Sequence, residues 1–172
     1  MSLHFIESLQ NTLQQSIDLL EELPENVYRD SSVGPYYSSI GKHMRHIIDF
    51  YQSIFNGLNN YMIDLTDRKR EEVLELSPLI AKNKILMIIN ELNDYKHYDL
   101  SEKYELIDDF GLGKQTIPTN LYSVFSQANS HSIHHYAIIA QLLDFQGVKI
   151  ENTYFGYNPS TPVVVENNKL SR

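Results

Sequence analysis

The sequence contains no cysteine and no tryptophan. The lack of cysteine excludes disulfides, thiolate metal ligands and a cysteine nucleophile, so any metal bound by this chain must be held by histidine or carboxylate side chains. The sequence also has no long hydrophobic run, and its apolar stretches are far shorter than the roughly 20 residues that a membrane-spanning helix needs. We therefore expect no membrane partner.

Basic residues are few, with 14 Lys and Arg against 22 Asp and Glu and a formal net charge of -8. The one basic triplet, Arg68-Lys69-Arg70, is followed directly by Glu71 and Glu72. Nucleic-acid binding depends on basic surface that displaces counterions, so we expect no nucleic-acid partner. The first residues lack the basic region and apolar run of a signal peptide, which predicts a cytoplasmic location.

Four segments carry apolar residues at three- and four-residue steps, the spacing of an amphipathic helix. They cover residues 3–23, 39–58, 78–95 and 121–145, and each follows a residue able to cap a helix. A length of 172 residues fits one domain. We predict an all-α fold over residues 1–172, a four-helix bundle with long connections, in which residues from about 148 to 172 form a C-terminal tail.

Three further features lie outside these segments. Tyr104–Ile107 and Gln115–Ile117 flank Gly111-Leu112-Gly113, which indicates a small hairpin before the last helix. A short helix is predicted near residues 68–75. The tail carries several aromatic residues around Phe155, which we expect to pack over one end of the bundle.

Five of the seven histidines fall into two clusters, one in the second helix and one in the fourth. In the fourth helix His131 and His135 are one turn apart and lie within the apolar face, whereas His134 lies outside it. Two inward imidazoles at this spacing can chelate one metal ion. The alternative is a pair of core histidines, each hydrogen-bonded to a neighbouring group.

The cluster in the second helix leaves two candidates open. On a helical wheel His43 lies just inside the apolar face, while His46 lies somewhat beyond its edge, beside Phe50. Periodicity slightly prefers His43 as the inward residue. An ordinary packed or solvent-edge histidine is an equal alternative at this position.

The run from Ser39 to Asp49 with its Gly-Lys-His-Met-Arg-His core, the run from Ser130 to Tyr136, and the phrase Phe155-Gly-Tyr-Asn-Pro-Ser-Thr resemble the DinB/YfiT-like superfamily of metal-dependent enzymes. The resemblance covers most of the chain. It implies a four-helix bundle with a three-histidine metal site. Carried over residue by residue, the ligands are His46, His131 and His135, so the resemblance favours His46 over His43.

The resemblance also implies a chemistry. Related families include transferases and isomerases that use bacillithiol, mycothiol or glutathione-like thiols. Three neutral nitrogen ligands suit Zn or Ni, with Fe also compatible, and leave positions at which a thiol or water can lose its proton. Asp49, one turn from His46, is a candidate to orient that ligand or to assist proton transfer; the alternative is a solvated carboxylate.

These observations predict a metal-dependent transferase or hydrolase acting on a small molecule, with a low-molecular-weight thiol as the cosubstrate or water as the nucleophile. The first alternative is a non-catalytic stress-response or metal-storage protein that keeps the site as a relic. The second is a helical scaffold that forms a homodimer and binds no metal.

Overall fold

The computed structural model describes residues 2–162, so residues 163–172 of the predicted tail lie outside the described part. Within this part the chain forms six α-helices and three β-strands. The helices are α1 (Ser2–Glu22), α2 (Glu25–Arg29), α3 (Ile40–Gly57), α4 (Val73–Leu76), α5 (Pro78–Glu91) and α6 (Leu121–Phe145). The strands are β1 (Met62–Asp64), β2 (Lys103–Asp109) and β3 (Lys114–Asn120).

The four long helices agree with the predicted segments, and their starts follow from local chemistry. The side chains of Ser39, Ser77 and Asn120 accept hydrogen bonds from backbone N–H groups in the first turns of α3, α5 and α6. Each of these bonds satisfies a donor that has no partner within its own helix. Helix α5 ends earlier than predicted, at Glu91, and a 3-10 turn continues from Leu92 to Tyr95.

The all-α prediction is wrong, because a three-stranded mixed sheet in the order β1-β2-β3 makes this an α+β fold. Strands β2 and β3 are antiparallel and confirm the predicted hairpin, with Gly111 and Gly113 in its turn. Strand β1 runs parallel to β2, with Ile63 opposite Leu106. Residues 62–64 carry no recognisable strand pattern in the sequence, so only the hairpin was predicted and not the third strand.

The strands were hard to recognise for physical reasons. Strand β1 has three residues, too few to show the alternation that identifies a strand, and its partner is distant in sequence. Strand β3 is largely exposed and contains Pro118. Proline has no N–H for a ladder bond, so it is tolerated on an edge strand, which is where β3 lies.

The core lies where the long helices meet one face of the sheet. Helix α1 packs against α5 and α6, and α3 packs against α5, α6 and β1. Ile63, Tyr104 and Leu106 are buried on the inner face of the sheet. None of the helices in residues 2–162 is long and apolar enough to cross a membrane.

The tail returns to helix α6. The ring of Phe155 stacks on Tyr136, with ring centroids 4.9 Å apart and planes 24° apart, and Phe155 is buried. Gly156 follows at a positive φ of 82°, and a Cβ there would lie 2.7 Å from the backbone nitrogen of Ala137, so only glycine fits. Of the tail aromatics predicted to pack over one end of the bundle, Phe155 packs instead on Tyr136 within α6, and Tyr154 and Tyr157 are exposed.

Candidate metal centre

Helices α3 and α6 pack against each other and bring four histidines together. His43 and His46 are three residues apart on α3, and His131 and His135 are four residues apart on α6. Positions three or four apart share a helix face, so each helix presents two imidazoles to the other. His134 is exposed and is not part of the group that can hold a metal.

His46, His131 and His135 form the candidate metal site. Each offers one ring nitrogen, and these nitrogens all lie within 4.8 Å of one another. The ring centroids are 4.5 Å apart for His131 and His135, 4.8 Å for His46 and His131, and 4.9 Å for His46 and His135. All three ring pairs meet edge to face, with interplanar angles of 62°, 82° and 80°, so the rings do not stack on one another.

The nitrogens of His131 and His135 have the spacing that a divalent ion requires. In a tetrahedral zinc site with Zn–N bonds of about 2.0–2.1 Å, two nitrogens are separated by roughly 3.3 Å. The Nε2 atoms of His131 and His135 lie 3.1 Å apart, close to that value. Three neutral nitrogens, without any thiolate, suit Zn and Ni and also accommodate Fe.

His43 lies outside the three-histidine group and contacts His135. Its Nδ1 is 2.8 Å from Nδ1 of His135, and its Nε2 is 2.8 Å from Oγ of Ser38. Nδ1 of His135 is thus engaged by His43, while Nε2 of His135 faces His131. The structure therefore places His46 among the three candidate ligands and His43 where it can orient His135, the arrangement by which proteins commonly hold a metal-binding imidazole.

Burial keeps the imidazoles neutral. It lowers the pKa of His135 to about 3 and that of His46 to about 4, and neighbouring imidazoles add to both shifts. For His46 the positive charge of Arg68 is the next largest cause. Burial also lowers the pKa values of His43 and His131. A neutral imidazole has a free lone pair, which is the form that binds a metal.

Asp49, the predicted partner of His46, is bound elsewhere. Its carboxylate accepts a hydrogen bond from Nη1 of Arg45, and Nε of Arg45 donates to Oε1 of Glu75 at 2.5 Å. Burial raises the pKa of Asp49, and the adjacent Arg45 opposes this shift. No hydrogen bond joins Asp49 to a histidine within residues 2–162, so its role beside His46 stays a prediction without a supporting contact.

A glycine makes this ion-pair cluster possible. A Cβ at Gly41 would lie 2.2 Å from the carbonyl oxygen of Glu75, so only glycine lets helix α4 approach α3 this closely. The approach places Glu75 beside Arg45 and closes one side of α3. The Gly41 in the Gly-Lys-His motif thus has a packing role in addition to its place in the resemblance.

Arg68 is a residue of the site that the sequence analysis missed. It lies in the loop between β1 and α4; its Nη1 is 3.1 Å from Nδ1 of His46, and its Nε donates to the carbonyl oxygen of Leu65 at 2.7 Å. In the sequence it stood only as part of a basic triplet offset by Glu71 and Glu72. No local pattern could identify it, because a loop has no periodicity that shows which way a side chain points.

Comparison with known proteins gives no match: no family model, no curated protein and no solved structure is significantly similar to this chain. The resemblance to the DinB/YfiT-like superfamily therefore stays a prediction. The function must be inferred from the histidines and their surroundings.

Proposed function

We propose that the chain is a metal-dependent enzyme of the DinB/YfiT-like type, in which His46, His131 and His135 hold one divalent ion. The observation that carries the proposal is the convergence of three imidazoles from two helices, with candidate ligand nitrogens within 4.8 Å of one another. Lowered histidine pKa values support it, because they keep the rings uncharged at neutral pH, the form that binds a metal.

Zn or Ni is the proposed ion, with Fe as an alternative, because imidazole nitrogen suits all three. Such an ion, when bound, lowers the pKa of a coordinated thiol or water toward neutrality, which supports transferase or hydrolase chemistry on a small molecule. The chain has no cysteine, so a reacting thiol would be a small molecule from solution. The protein residues hold the ion, orient His135 through His43, and exclude water from one side of the site.

Exposure favours an open site over a storage site. His46 and His131 are half-buried, whereas His43 and His135 are buried, so one side of the three-histidine group reaches solvent. A storage or relic site has no need of such an opening. The proposal includes a cytoplasmic location, which imaging of the protein in cells tests. It also includes no nucleic-acid or membrane partner.

Metal content tests the proposal directly. Tag-free protein, stripped with a chelator and reloaded separately with Zn, Ni or Fe(II) under anaerobic conditions, should retain about one ion per chain after desalting. Elemental analysis gives the stoichiometry. Retention near zero for all three metals would contradict the metal centre, and retention of several ions per chain would indicate surface binding.

Exogenous ligands separate the enzyme from the storage alternative. The Co(II)-substituted protein should develop a sulfur-to-metal charge-transfer band when a low-molecular-weight thiol is added. No protein cysteine can produce that band. A fully loaded protein whose spectrum no thiol, azide or cyanide perturbs has a closed coordination shell, and the storage alternative would then replace the enzyme.

A further inference from the structure

Arg68 is half-buried and forms no direct ion pair among residues 2–162, although the charge of Asp49 is close enough to interact with it. No carboxylate lies within 4.0 Å of its guanidinium among residues 2–162. Arg45, also close to His46, differs in this respect because both Asp49 and Glu75 are bound to it. The two contacts of Arg68 are the carbonyl of Leu65 and the ring of His46, which are neutral.

The contact between Arg68 and His46 determines which nitrogen of that ring is protonated. A guanidinium has donors only, so Nδ1 of His46 must be the acceptor and must hold the lone pair of the neutral ring. The proton then lies on Nε2. A neutral imidazole has a single such lone pair, and the Arg68 hydrogen bond uses it.

Metal ligation by His46 is incompatible with this hydrogen bond. If Nδ1 is the ligand atom, the ion takes the lone pair that Arg68 occupies. If Nε2 is the ligand atom, the proton must move to Nδ1, and two donors then face each other. In both cases binding of the ion detaches Nη1 of Arg68 from His46.

We propose that Arg68, released in this way, binds a carboxylate of the substrate beside the metal ion. This inference rests on the proposed function and names its substrate class, a small carboxylic acid. The released guanidinium stays close to the site, since its Nε is held by the carbonyl of Leu65 at 2.7 Å. A guanidinium matches a carboxylate with two parallel hydrogen bonds.

The local charge supports an anionic substrate although the chain is acidic overall. Three neutral ligands leave a divalent ion its full charge, and Arg68 adds a further positive charge next to His46. Asp49 and Glu75 are both bound directly to Arg45, and Asp49 acts on Arg68 only through its charge. An incoming carboxylate therefore supplies the direct ion pair that Arg68 lacks among the described residues.

Two variants test the inference in the metal-loaded, full-length protein. Arg68→Met removes the guanidinium and keeps an unbranched side chain. Lys69→Met is the matched control, because it removes one positive charge from an exposed side chain of the same loop. Zinc affinity is measured by competition with a chromogenic chelator, and anion affinity by calorimetry with malonate, succinate, glutarate and acetate at fixed ionic strength.

Arg68→Met should bind zinc roughly three- to tenfold more tightly than the wild type, because a competing hydrogen bond is lost. At least one dicarboxylate should bind the zinc-loaded wild type about tenfold more tightly than acetate, since its second carboxylate reaches Arg68. Arg68→Met should lose this preference, and Lys69→Met should keep it.

Equal preference for the dicarboxylate in the wild type and Arg68→Met would overturn the inference, as would a wild type that binds all four anions alike. Tighter zinc binding by Arg68→Met without any change in anion binding also overturns it. Arg68 would then only occupy the lone pair of His46 in the metal-free protein. These outcomes leave the metal centre intact. The failure of every protein to bind zinc refutes the proposed function itself, and the inference with it.

Discussion

Helix α3 carries polar side chains on two sides: one side carries neutral histidines, and the other carries an arginine bound to carboxylates. Toward α6, His43 and His46 are kept neutral by burial. Toward α4, Arg45 pairs with both Asp49 and Glu75. The paired side is satisfied without a ligand, whereas the histidine side has neutral imidazoles beside Arg68, which forms no direct ion pair among the described residues.

This difference shows where binding is expected. A buried charge that is already paired contributes to the fold, and a metal gains nothing by displacing its partner. Neutral imidazoles that face one another can do little for the fold beyond weak hydrogen bonds. The four predictions below use substitutions on one side that should leave the other side unchanged.

The largest effect is expected for the candidate ligands. His131→Ala and His135→Ala should each weaken zinc binding at least 100-fold, because two imidazoles cannot replace a three-nitrogen site. His46→Ala should have the same effect. The control is His134→Ala, whose ring is exposed on the same helix. Chelator competition measures the affinities, and loss of zinc in His134→Ala but not in His131→Ala would contradict the assignment.

On the opposite side of α3, Arg45→Met should lower the free energy of unfolding by about 2 kcal/mol. Breaking a fully buried pair costs about 3–5 kcal/mol, and Arg45 retains 16% exposure while Asp49 retains 2%. Denaturant unfolding of the metal-free protein measures the change. The double variant Arg45→Met with Asp49→Leu should recover part of the loss, because Asp49, the more buried of the two partners of Arg45, is then no longer left unpaired.

Zinc affinity in Arg45→Met should stay within about threefold of the wild type, because Arg45 forms no hydrogen bond with the ligands and acts on His46 only through its charge. A large loss of zinc binding in this variant, with the fold intact, would show that the two sides of α3 are not independent.

A smaller effect is expected for His43. His43→Ala removes the group that contacts Nδ1 of His135, and zinc affinity should fall about tenfold. This is the lower end of the loss in metal affinity that follows when a residue that orients a metal ligand is mutated. His43→Gln should restore part of the affinity, since its amide oxygen can accept from Nδ1–H of His135. If His43→Ala abolishes binding as completely as His46→Ala, His43 is itself a ligand.

The last prediction concerns how the free energy of unfolding of the metal-free protein depends on pH. Unfolded histidine titrates near pH 6.5, whereas burial lowers the pKa of His135 to about 3 in the fold. The unfolded state therefore takes up protons first as the pH falls, so the histidines contribute full stability above pH 6.5 and lose it progressively below that value.

Denaturant unfolding between pH 7.5 and pH 4.5 measures this slope. His135→Gln should make it shallower by up to about 1.4 kcal/mol per pH unit, the value for one proton. His134→Gln, on the exposed side of α6, is the matched control. Zinc should not flatten the wild-type profile, because the ion keeps protons off the folded-state nitrogens that it binds while the unfolded state still takes protons up. An unchanged slope in His135→Gln would contradict burial as the cause of the low pKa.

Most of the helical structure could be predicted from the sequence, because caps and periodicity act within one helix. The predicted separation of His131 and His135 from His134 agrees with their positions on α6 for this reason. The choice between His43 and His46 could not be made from periodicity, because it depends on where α6 crosses α3. The resemblance pointed to His46, and the structure places that residue in the three-histidine group.

What the sequence determined by itself is therefore local: the four long helices, the β2-β3 hairpin and the faces of each helix. Tertiary structure decided the pairing of β1 with β2, the bonding of Asp49 to Arg45, and the position of Arg68 beside His46. Each of these joins segments that are separated along the chain or whose side chains have no periodic direction. Such contacts form only when long-range packing brings the segments together, and that packing depends on the whole core and not on any one segment.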